Sequence, residues 1–111
     1  MGPFAAGQVV VLPFPFSDLS QSKFRPALLL AKAGRDDWIA CQITSNPYTD
    51  ALAISLTDAD FVEGGLRRVS FVRPGKLFTA NQSLFASAAG LVRPGSLSVA
   101  RNAVSALIHG G

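Results

Sequence analysis

Residues 24–46 read FRPALLLAKAGRDDWIACQITSN, and this stretch decides the fold. Two apolar runs, residues 26–31 and 38–44, flank a polar turn that contains Gly34. Such runs are typical of strands buried on both faces, or, for residues 26–31 taken alone, of a short helix. Because the connection between them is short and polar, the stretch predicts an antiparallel hairpin.

The register of this hairpin decides what lies at its open end. In an antiparallel pair, each step forward along one strand matches one step back along the other. If Ala31 faces Trp38 across the turn, Arg25 falls opposite Thr44. We therefore expect a cation and a hydroxyl group side by side at the open end. A slip of one residue would separate their faces.

A guanidinium group beside a threonine hydroxyl is suited to binding a phosphodiester without a metal ion. The guanidinium presents forked donors that match phosphate oxygens, and the hydroxyl can donate to one more oxygen. If the substrate is RNA, its own 2′-hydroxyl can attack the adjacent phosphorus. The protein then has to hold the phosphate, stabilise the extra negative charge and help to move protons.

The ordinary alternative for the same two residues is structural. An arginine before a strand often pairs with a nearby carboxylate, here that of Asp18, and a threonine that ends a strand often caps a turn. Polar residues are common where a strand meets a loop, and they need no function to explain them.

The composition predicts one folded domain. The chain has 111 residues, of which 49% are apolar and 15% are charged, which is enough for one modest core and too hydrophobic for a disordered chain. The low charge favours self-association, which hides surplus apolar surface.

The net charge of +3 is unevenly distributed, because residues 64–111 contain no acidic residue. A basic half suggests a polyanion or an acidic partner, and a solvated positive face explains it equally well. The basic residues concerned are Arg67, Arg68, Arg73, Lys76, Arg93 and Arg101.

The single cysteine, Cys41, excludes a disulfide within the chain and a CxxC metal site, and it fits a reducing cytoplasm. Its apolar surroundings predict a buried, inert thiol. The acidic residues cluster in turns without metal-ligand spacing, so we expect neither a metal nor another cofactor. The N-terminal segment resembles neither a signal peptide nor a membrane span, and we expect a cytoplasmic protein.

The remaining pattern predicts a strongly bent sheet or small barrel with a helix against it. Helical spacing from Leu97 to Ile108 predicts a C-terminal helix with one apolar stripe, with Ser96 as N-cap and Gly110 as its stop. A short helical turn is expected near residues 81–85. Further strands are predicted at residues 8–12, 52–56 and 67–72, and a loop at residues 13–23.

Three segments closely resemble the MazF/PemK-like family of toxin endoribonucleases: GQVVVLPFPFSDLSQSKFRPALLL, IACQITSN and VSFVRPGKLFT. The RPALLL and ITSN motifs are fairly specific together, in this order and at this spacing, although each alone is weak. The resemblance begins at about Gly7 and covers nearly the full chain. It implies a single MazF/PemK-like toxin domain over residues 1–111.

The resemblance implies a mainly β fold, a small SH3-like antiparallel barrel with short helices and a C-terminal helix. It implies a homodimeric toxin of a type II toxin–antitoxin system. Such a toxin cleaves single-stranded RNA without a metal or other cofactor, and leaves a cyclic phosphate and a 5′-hydroxyl. The implied partners are an acidic cognate antitoxin and, through the antitoxin complex, operator DNA, with no membrane.

The family's functional arginine, in its RP motif, falls on Arg25, and its functional threonine, in its ITS motif, falls on Thr44. Ser70 is equally well explained by strand packing, and Lys76 is expected to act through its charge alone. The residues expected to bind RNA are Lys23, Phe24, Ser45, Asn46, Ser70, Arg73 and Lys76.

A departure from the family pattern keeps one alternative open, and a fold shared with another class of toxin keeps a second one open. Some members carry a catalytic Asp two residues after the position of Arg73, where this chain has Gly75. A non-catalytic relative that binds nucleic acid or protein with the same fold is therefore one alternative. A CcdB-like gyrase poison is another, weakened because those toxins depend on a C-terminal Trp and this sequence ends in Ile-His-Gly-Gly.

Overall fold

A computed structural model describes residues 4–15 and 22–110, which form one curled antiparallel sheet and one helix. The elements are β1 Gln8–Pro15, β2 Ser22–Lys32, β3 Asp37–Thr44, β4 Ile54–Leu56, β5 Phe61–Gly64, β6 Ser70–Asn81, β7 Ser87–Val92 and α1 Pro94–Ile108, with 3₁₀ turns at Asp58–Asp60 and Gln82–Leu84. The strands, in spatial order β4-β6-β3-β2-β1-β7-β5, make a half-barrel with β2 and β3 near its centre. The predicted mainly β fold with a C-terminal helix is confirmed.

The central strands are buried on both faces of the sheet. On the helix-side face, Leu28, Leu30, Cys41 and Ile43 pack with residues of α1. On the far face, Ala27, Leu29, Trp38 and Ala40 pack with Val10, Leu12 and Ala80 and are covered by Phe4 and Phe85. Successive side chains of a strand point to opposite faces, so β2 and β3 are apolar at nearly every position because they serve both clusters.

The register predicted for β2 and β3 is correct at their open end and wrong at their turn. Ala27 faces Gln42 and Leu28 faces Cys41, as predicted, but Ala31 faces Ile39 and not Trp38. The difference arises because the register shifts between Leu29 and Ala31. The bulge lies on the turn side of the pairs Ala27–Gln42 and Leu28–Cys41, so these pairs keep the predicted register. The described ladder between the two strands stops at Ala27 and Gln42, and the predicted pairing of Arg25 with Thr44 stays a prediction.

The side chain of Arg101 stabilises this bulge. Its Nε and Nη2 donate to the carbonyl oxygen of Leu30 at 3.0 and 2.7 Å. A backbone carbonyl that loses its ladder partner in a bulge needs another donor. Arg101 therefore serves the fold and joins α1 to the central hairpin.

The prediction of a loop over residues 13–23 is wrong at both ends, because Pro13, Phe14 and Pro15 pair with β2. The N–H of Ala86 donates to the carbonyl of Val11, so the main-chain groups of Val11 point towards β7. By alternation the nitrogens of Pro13 and Pro15 point the same way, where β7 no longer accompanies β1. Neither proline therefore removes a ladder hydrogen bond. Residues 16–21 lie outside the described part of the chain.

Pro26 lies inside β2, and not at its start as predicted, because it pairs with Val11 of β1. Its nitrogen faces β3, and the ladder with β3 is described only as far as Ala27 and Gln42. Proline has no N–H to continue that ladder, so the two strands are free to separate beyond this point.

Sequence patterns missed β5 and β7 and most of β6. Strands β5 and β7 pair with each other, and Gly64 stands opposite Gly90. A Cβ at position 90 would lie 2.7 Å from the carbonyl oxygen of Glu63 and 2.8 Å from the nitrogen of Gly65. This close approach of two backbones is a tertiary contact, and its only sign in the sequence is a glycine at position 90.

We expect Gly90→Ala to destabilise the fold by about 1–3 kcal/mol, the usual cost of overpacking, because neighbouring backbone cannot move aside easily. The measurement is the free energy of unfolding from urea titration. Gly95→Ala is the matched control, because a Cβ there meets nothing within 4 Å and alanine favours helix. Equal stability of the two variants would contradict the packing account.

The C-terminal helix begins earlier than predicted. Arg93 is its N-cap and Pro94 occupies its first turn, which proline favours. Ser96, predicted as N-cap, instead donates to Asp60 Oδ1 at 2.8 Å. The apolar stripe is buried at Ala100 and Val104, whereas Leu107 and Ile108 at its end are exposed.

Asp60 joins this helix to the preceding 3₁₀ turn. Its Oδ2 accepts from the backbone N–H of Thr57 at 2.7 Å, and the N–H of Arg93 donates to its carbonyl. The hydrogen bond from the Thr57 backbone, with those from the Ser96 and Thr57 hydroxyls and the charge of Arg93, holds the pKa of the Asp60 carboxyl below its ordinary value of 3.8.

A carboxyl whose pKa is lower in the folded state stabilises the fold above its unfolded pKa, and this stabilisation is lost as the pH falls through the folded value. We therefore expect Asp60→Asn to be less stable than the wild type at pH 7, by about 1 kcal/mol as for a lost cap, and this deficit to shrink below pH 3.8. Urea unfolding at several pH values measures it. Asp58→Asn, at an exposed neighbouring carboxylate, is the control, and a deficit independent of pH would contradict the role of the charge.

Cys41 is fully buried and free, as predicted. Burial raises the pKa of its thiol to about 11, which disfavours the reactive thiolate. Across residues 4–15 and 22–110, no helix is long and apolar enough to cross a membrane.

Candidate nucleic-acid interface

Arg25 and Thr44 lie at the same end of the sheet, on neighbouring strands. Arg25 pairs with Leu12 of β1, and Thr44 is the last residue of β3. Alternation from Ala27 and Ala40, which both pack on the far face, places Arg25 and Thr44 on that face too. Both are partly buried.

The hydroxyl of Thr44 takes part in the turn that follows β3. It donates to the carbonyl oxygen of Asn46 and accepts from the N–H of Asn46, both at 3.1 Å. The side-chain oxygen of Asn46 accepts from the N–H of Tyr48 at 3.0 Å. Turn capping, the structural alternative for Thr44, is therefore present. A phosphate bound here would replace the Asn46 carbonyl as the acceptor of the hydrogen bond from the Thr44 hydroxyl.

A wide irregularity of β6 carries Arg73 and Lys76. Val72 faces Ile43 of β3 and Leu77 faces Cys41, so residues 73–76 all stand opposite the single residue Gln42. Within β6, Arg73 alternates with Phe71, which faces Thr44, and so Arg73 lies on the far face. The irregularity brings two cations close to the end of β3.

Asp50 holds the Arg73 side chain. Arg73 Nε donates to Asp50 Oδ2 at 2.7 Å, and Asp50 Oδ1 accepts from the N–H of Leu52. The hydrogen bond from Arg73, with that from Leu52 and the charges of Arg73 and Lys76, lowers the pKa of the Asp50 carboxyl. Asp50 is thus an ionised carboxylate that fixes a guanidinium from a loop distant in sequence.

An open groove of about 410 Å³ separates the loop of residues 47–52 from the β6 irregularity, and Tyr48, Asp50, Arg73 and Lys76 are among its lining residues. Tyr48 is 81% exposed and has a φ of +54°. Sequence reasoning missed both Tyr48 and Asp50. The available signal for Tyr48 was an aromatic residue in a polar loop directly after the ITSN motif.

The other predicted RNA-binding residues fall into two groups. Lys23, Ser45, Asn46 and Lys76 are exposed at the same end of the sheet, and their roles stay predictions. Ser70 is buried, and its hydroxyl donates to the carbonyl of Arg68 at 3.0 Å, which supports its alternative role in packing.

Phe24 is 64% exposed, but its position in β2 places it on the opposite face from Lys23 and Arg25. Its predicted contact with RNA stays a prediction, and this placement argues against a shared subsite with Arg25.

Much of the basic half of the chain is engaged within the fold. Arg73 pairs with Asp50, Arg93 donates to the carbonyl of Ala59, and Arg101 donates to that of Leu30. The Asp50 carboxylate offsets the charge of Arg73, whereas Arg93 and Arg101 keep their full positive charge because backbone carbonyls are neutral.

We expect Thr44→Val to accelerate amide exchange at Asn46 about two- to tenfold, because one hydrogen bond contributes about 0.5–1.5 kcal/mol. Thr44→Ser, which keeps the hydroxyl, is expected to preserve the wild-type rate. Residue-resolved hydrogen exchange by NMR is the measurement. Unchanged exchange in Thr44→Val would show that the turn does not depend on this hydroxyl.

No protein-family model matches the chain, and no curated protein matches it in sequence. Solved structures do match its shape. A chain of the MazE–MazF complex from Deinococcus radiodurans aligns over 100% of both chains with a TM-score of 0.76 and 20% identity. An endoribonuclease in complex with its cognate antitoxin, from a Mycobacterial species, aligns over 94% of this chain and 93% of its own, with a TM-score of 0.70 and 17% identity.

The toxin MazF-mt6 of Mycobacterium tuberculosis is similar as well, over 92% of this chain and 96% of its own, with a TM-score of 0.69 and 17% identity. The class defined by the coordinates is a curled antiparallel half-barrel with a C-terminal helix. The fold is, more particularly, that of the MazF toxin structures, and the resemblance stated from the sequence is confirmed at the level of the fold.

Proposed function

We propose that this chain is the toxin of a type II toxin–antitoxin pair, a metal-independent endoribonuclease that cleaves single-stranded RNA. The observation that carries the proposal is the register of β2 and β3. Extended by alternation from Ala27 and Gln42, this register supports a site in which Arg25 and Thr44 lie at one end and on one face of the sheet. Arg73 and Lys76 line a groove in the loop region that follows Thr44. The MazF-like fold supports the same function.

In the proposed reaction, the 2′-hydroxyl oxygen of RNA attacks the adjacent phosphorus. The bond from phosphorus to the 5′ oxygen breaks as the new bond forms, the 2′-hydroxyl loses its proton and the 5′ oxygen gains one. The products are a 2′,3′-cyclic phosphate and a 5′-hydroxyl. Arg25 stabilises the negative charge of the transition state with its forked donors, and Thr44 orients the phosphate through its hydroxyl.

The surrounding polar residues contribute binding in this proposal. Lys23 and Lys76 attract the RNA backbone through their charge, and Arg73 contacts a phosphate with the guanidinium nitrogens not bonded to Asp50. Ser45 and Asn46 offer hydrogen bonds to the backbone or bases. Such contacts make the affinity for RNA fall as the salt concentration rises.

The proposed partners follow the same assignment. They are a second copy of the chain, an acidic antitoxin and, through the antitoxin complex, operator DNA, all in the cytoplasm. Exposed apolar side chains at the end of α1, Leu107 and Ile108, are consistent with burial against another protein. The similar structures from Deinococcus radiodurans and the Mycobacterial species contain an antitoxin.

One observation favours a second candidate, a nucleic-acid-binding domain without cleavage. The Thr44 hydroxyl is engaged in its turn and Arg73 is engaged by Asp50, so neither group needs a reaction to explain its position. In this candidate the same groove binds RNA and leaves it intact.

The test is cleavage of a long RNA in EDTA, followed by analysis of the product ends by mass spectrometry. We expect cyclic phosphate and 5′-hydroxyl ends. Arg25→Ala and Thr44→Val are each expected to lose about a hundred- to a thousand-fold in rate, the usual effect of removing one transition-state donor. Arg25→Lys separates forked donation from charge, because lysine keeps the charge alone.

Arg35→Ala is the matched control, because Arg35 is exposed in the turn at the far end of the same hairpin, and its rate should equal that of the wild type. Thermal unfolding verifies that each variant is folded. Wild-type rates in both Arg25→Ala and Thr44→Val contradict the proposal. Binding without cleavage by the wild type supports the second candidate instead.

A further inference from the structure

The loop of residues 47–52 presents an aromatic ring to solvent in a strained conformation. Tyr48 has a φ of +54°, which a bulky residue rarely adopts, and the residue is 81% exposed. Burial of the ring therefore does not compensate the strain. Strained residues persist where surrounding structure imposes them, and they cluster at binding sites.

Hydrogen bonds impose this conformation from both sides. The N–H of Tyr48 donates to Asn46 Oδ1 at 3.0 Å, and the N–H of Asp50 donates to the carbonyl of Pro47 at 2.9 Å. Asp50 also accepts from Leu52 and Arg73. The loop therefore holds the backbone from which the Tyr48 ring projects in a fixed place relative to the β6 irregularity.

The opposite wall of the groove is cationic. Arg73 is held by Asp50 through Nε, and Lys76 is exposed. These two cations and one carboxylate leave a net local charge of +1. The carboxylate already accepts from Arg73 and Leu52, so a phosphate in the groove meets cationic donors and little unbalanced negative charge.

We propose that this groove is a subsite for one unpaired nucleotide, whose base stacks on Tyr48 and whose phosphate contacts Lys76 and Arg73. The inference deepens the proposed function and depends on it for the identity of the ligand as RNA. An aromatic face next to a cationic wall is the usual arrangement for single-stranded nucleic acid. A volume of about 410 Å³ is within the range of small-ligand sites.

The subsite lies beside the end of β3, where the polypeptide runs from Thr44 through Asn46 to Tyr48 within five residues. A nucleotide stacked on Tyr48 would therefore be a close neighbour of a phosphate bound at Thr44. Tyr48 would position the RNA and influence which base is accepted, without touching the reacting atoms.

The test uses a single-stranded oligonucleotide that carries 2′-deoxy sugars, so that it binds and is not cut. Tyr48 is the only tyrosine in the chain, and fluorotyrosine labelling of the full-length protein gives one ¹⁹F signal. We expect this signal to shift on addition of the single strand and to stay unchanged with the same sequence in a duplex.

Fluorescence anisotropy then compares binding by variants. Tyr48→Ala should bind the single strand about 5- to 150-fold more weakly, the equivalent of one lost base–aromatic stack, and Tyr48→Phe, which keeps the ring, should bind like the wild type. Leu84→Ala, a truncation of an exposed leucine in the 3₁₀ turn at Gln82–Leu84 that does not line the groove, is the matched control without loss. Lys76→Ala should reduce the salt dependence by about 0.7 in slope, and Lys32→Ala at the far end of β2 should not.

Wild-type affinity in Tyr48→Ala, a ¹⁹F signal that does not respond, or no binding of the single strand by the wild type would each overturn the subsite. A response only to an acidic protein would overturn it too. Because this assay needs no cleavage, the two proposals fail separately. Binding of the single strand through Tyr48 without any cleavage of RNA refutes catalysis alone. Cleavage of RNA by Tyr48→Ala at the wild-type rate refutes the subsite alone.

Discussion

The antiparallel pairing of β2 with β3 is the constraint on which the rest of the structure depends. Both strands contribute to the clusters on the two faces of the sheet, so a slip of one residue would exchange the side chains of two cores at once. The register is therefore fixed by burial along the strands, and not by the turn that joins them. This explains why the open end keeps its register although a bulge changes the pairing near the turn.

Departures from regular pairing place the charged groups. The bulge in β2 exposes the Leu30 carbonyl, which accepts two hydrogen bonds from Arg101. The larger irregularity in β6 carries Arg73 to Asp50 and brings Lys76 to the groove. Irregularities of this kind commonly re-aim side chains near functional sites. In this protein one of them joins the helix to the sheet, and the other builds a wall of the candidate interface.

The sequence was informative where local pattern and burial agree. The apolar runs of β2 and β3, the helical spacing before Ile108 and the 3₁₀ turn at Gln82–Leu84 follow from periodicity and turn chemistry. The prediction that Arg25 lies beside Thr44 was derived from an incorrect pair, Ala31 with Trp38. The assumed register is still correct at Ala27 and Leu28, because the bulge shifts the pairing by one residue between these positions and the turn.

The sequence was uninformative where structure depends on residues distant along the chain. Strand β7 reads SAAGLV and has no strong strand pattern, and its pairing with β5 depends on the approach of Gly64 to Gly90. The contact of Arg73 with Asp50 joins positions 23 residues apart. The strand predicted at residues 67–72 stops before the segment RPGK, although β6 continues through it to Asn81. The strained conformation of Tyr48 has no signature in the sequence.

The most direct test of the central claim is a crystal structure of the protein with an uncleavable single-stranded RNA analogue. The claim predicts that one phosphate lies within hydrogen-bonding distance, about 3 Å, of both the Arg25 guanidinium and the Thr44 hydroxyl. A bound strand whose phosphates contact neither group, with the Thr44 hydroxyl still donating to Asn46, would contradict it.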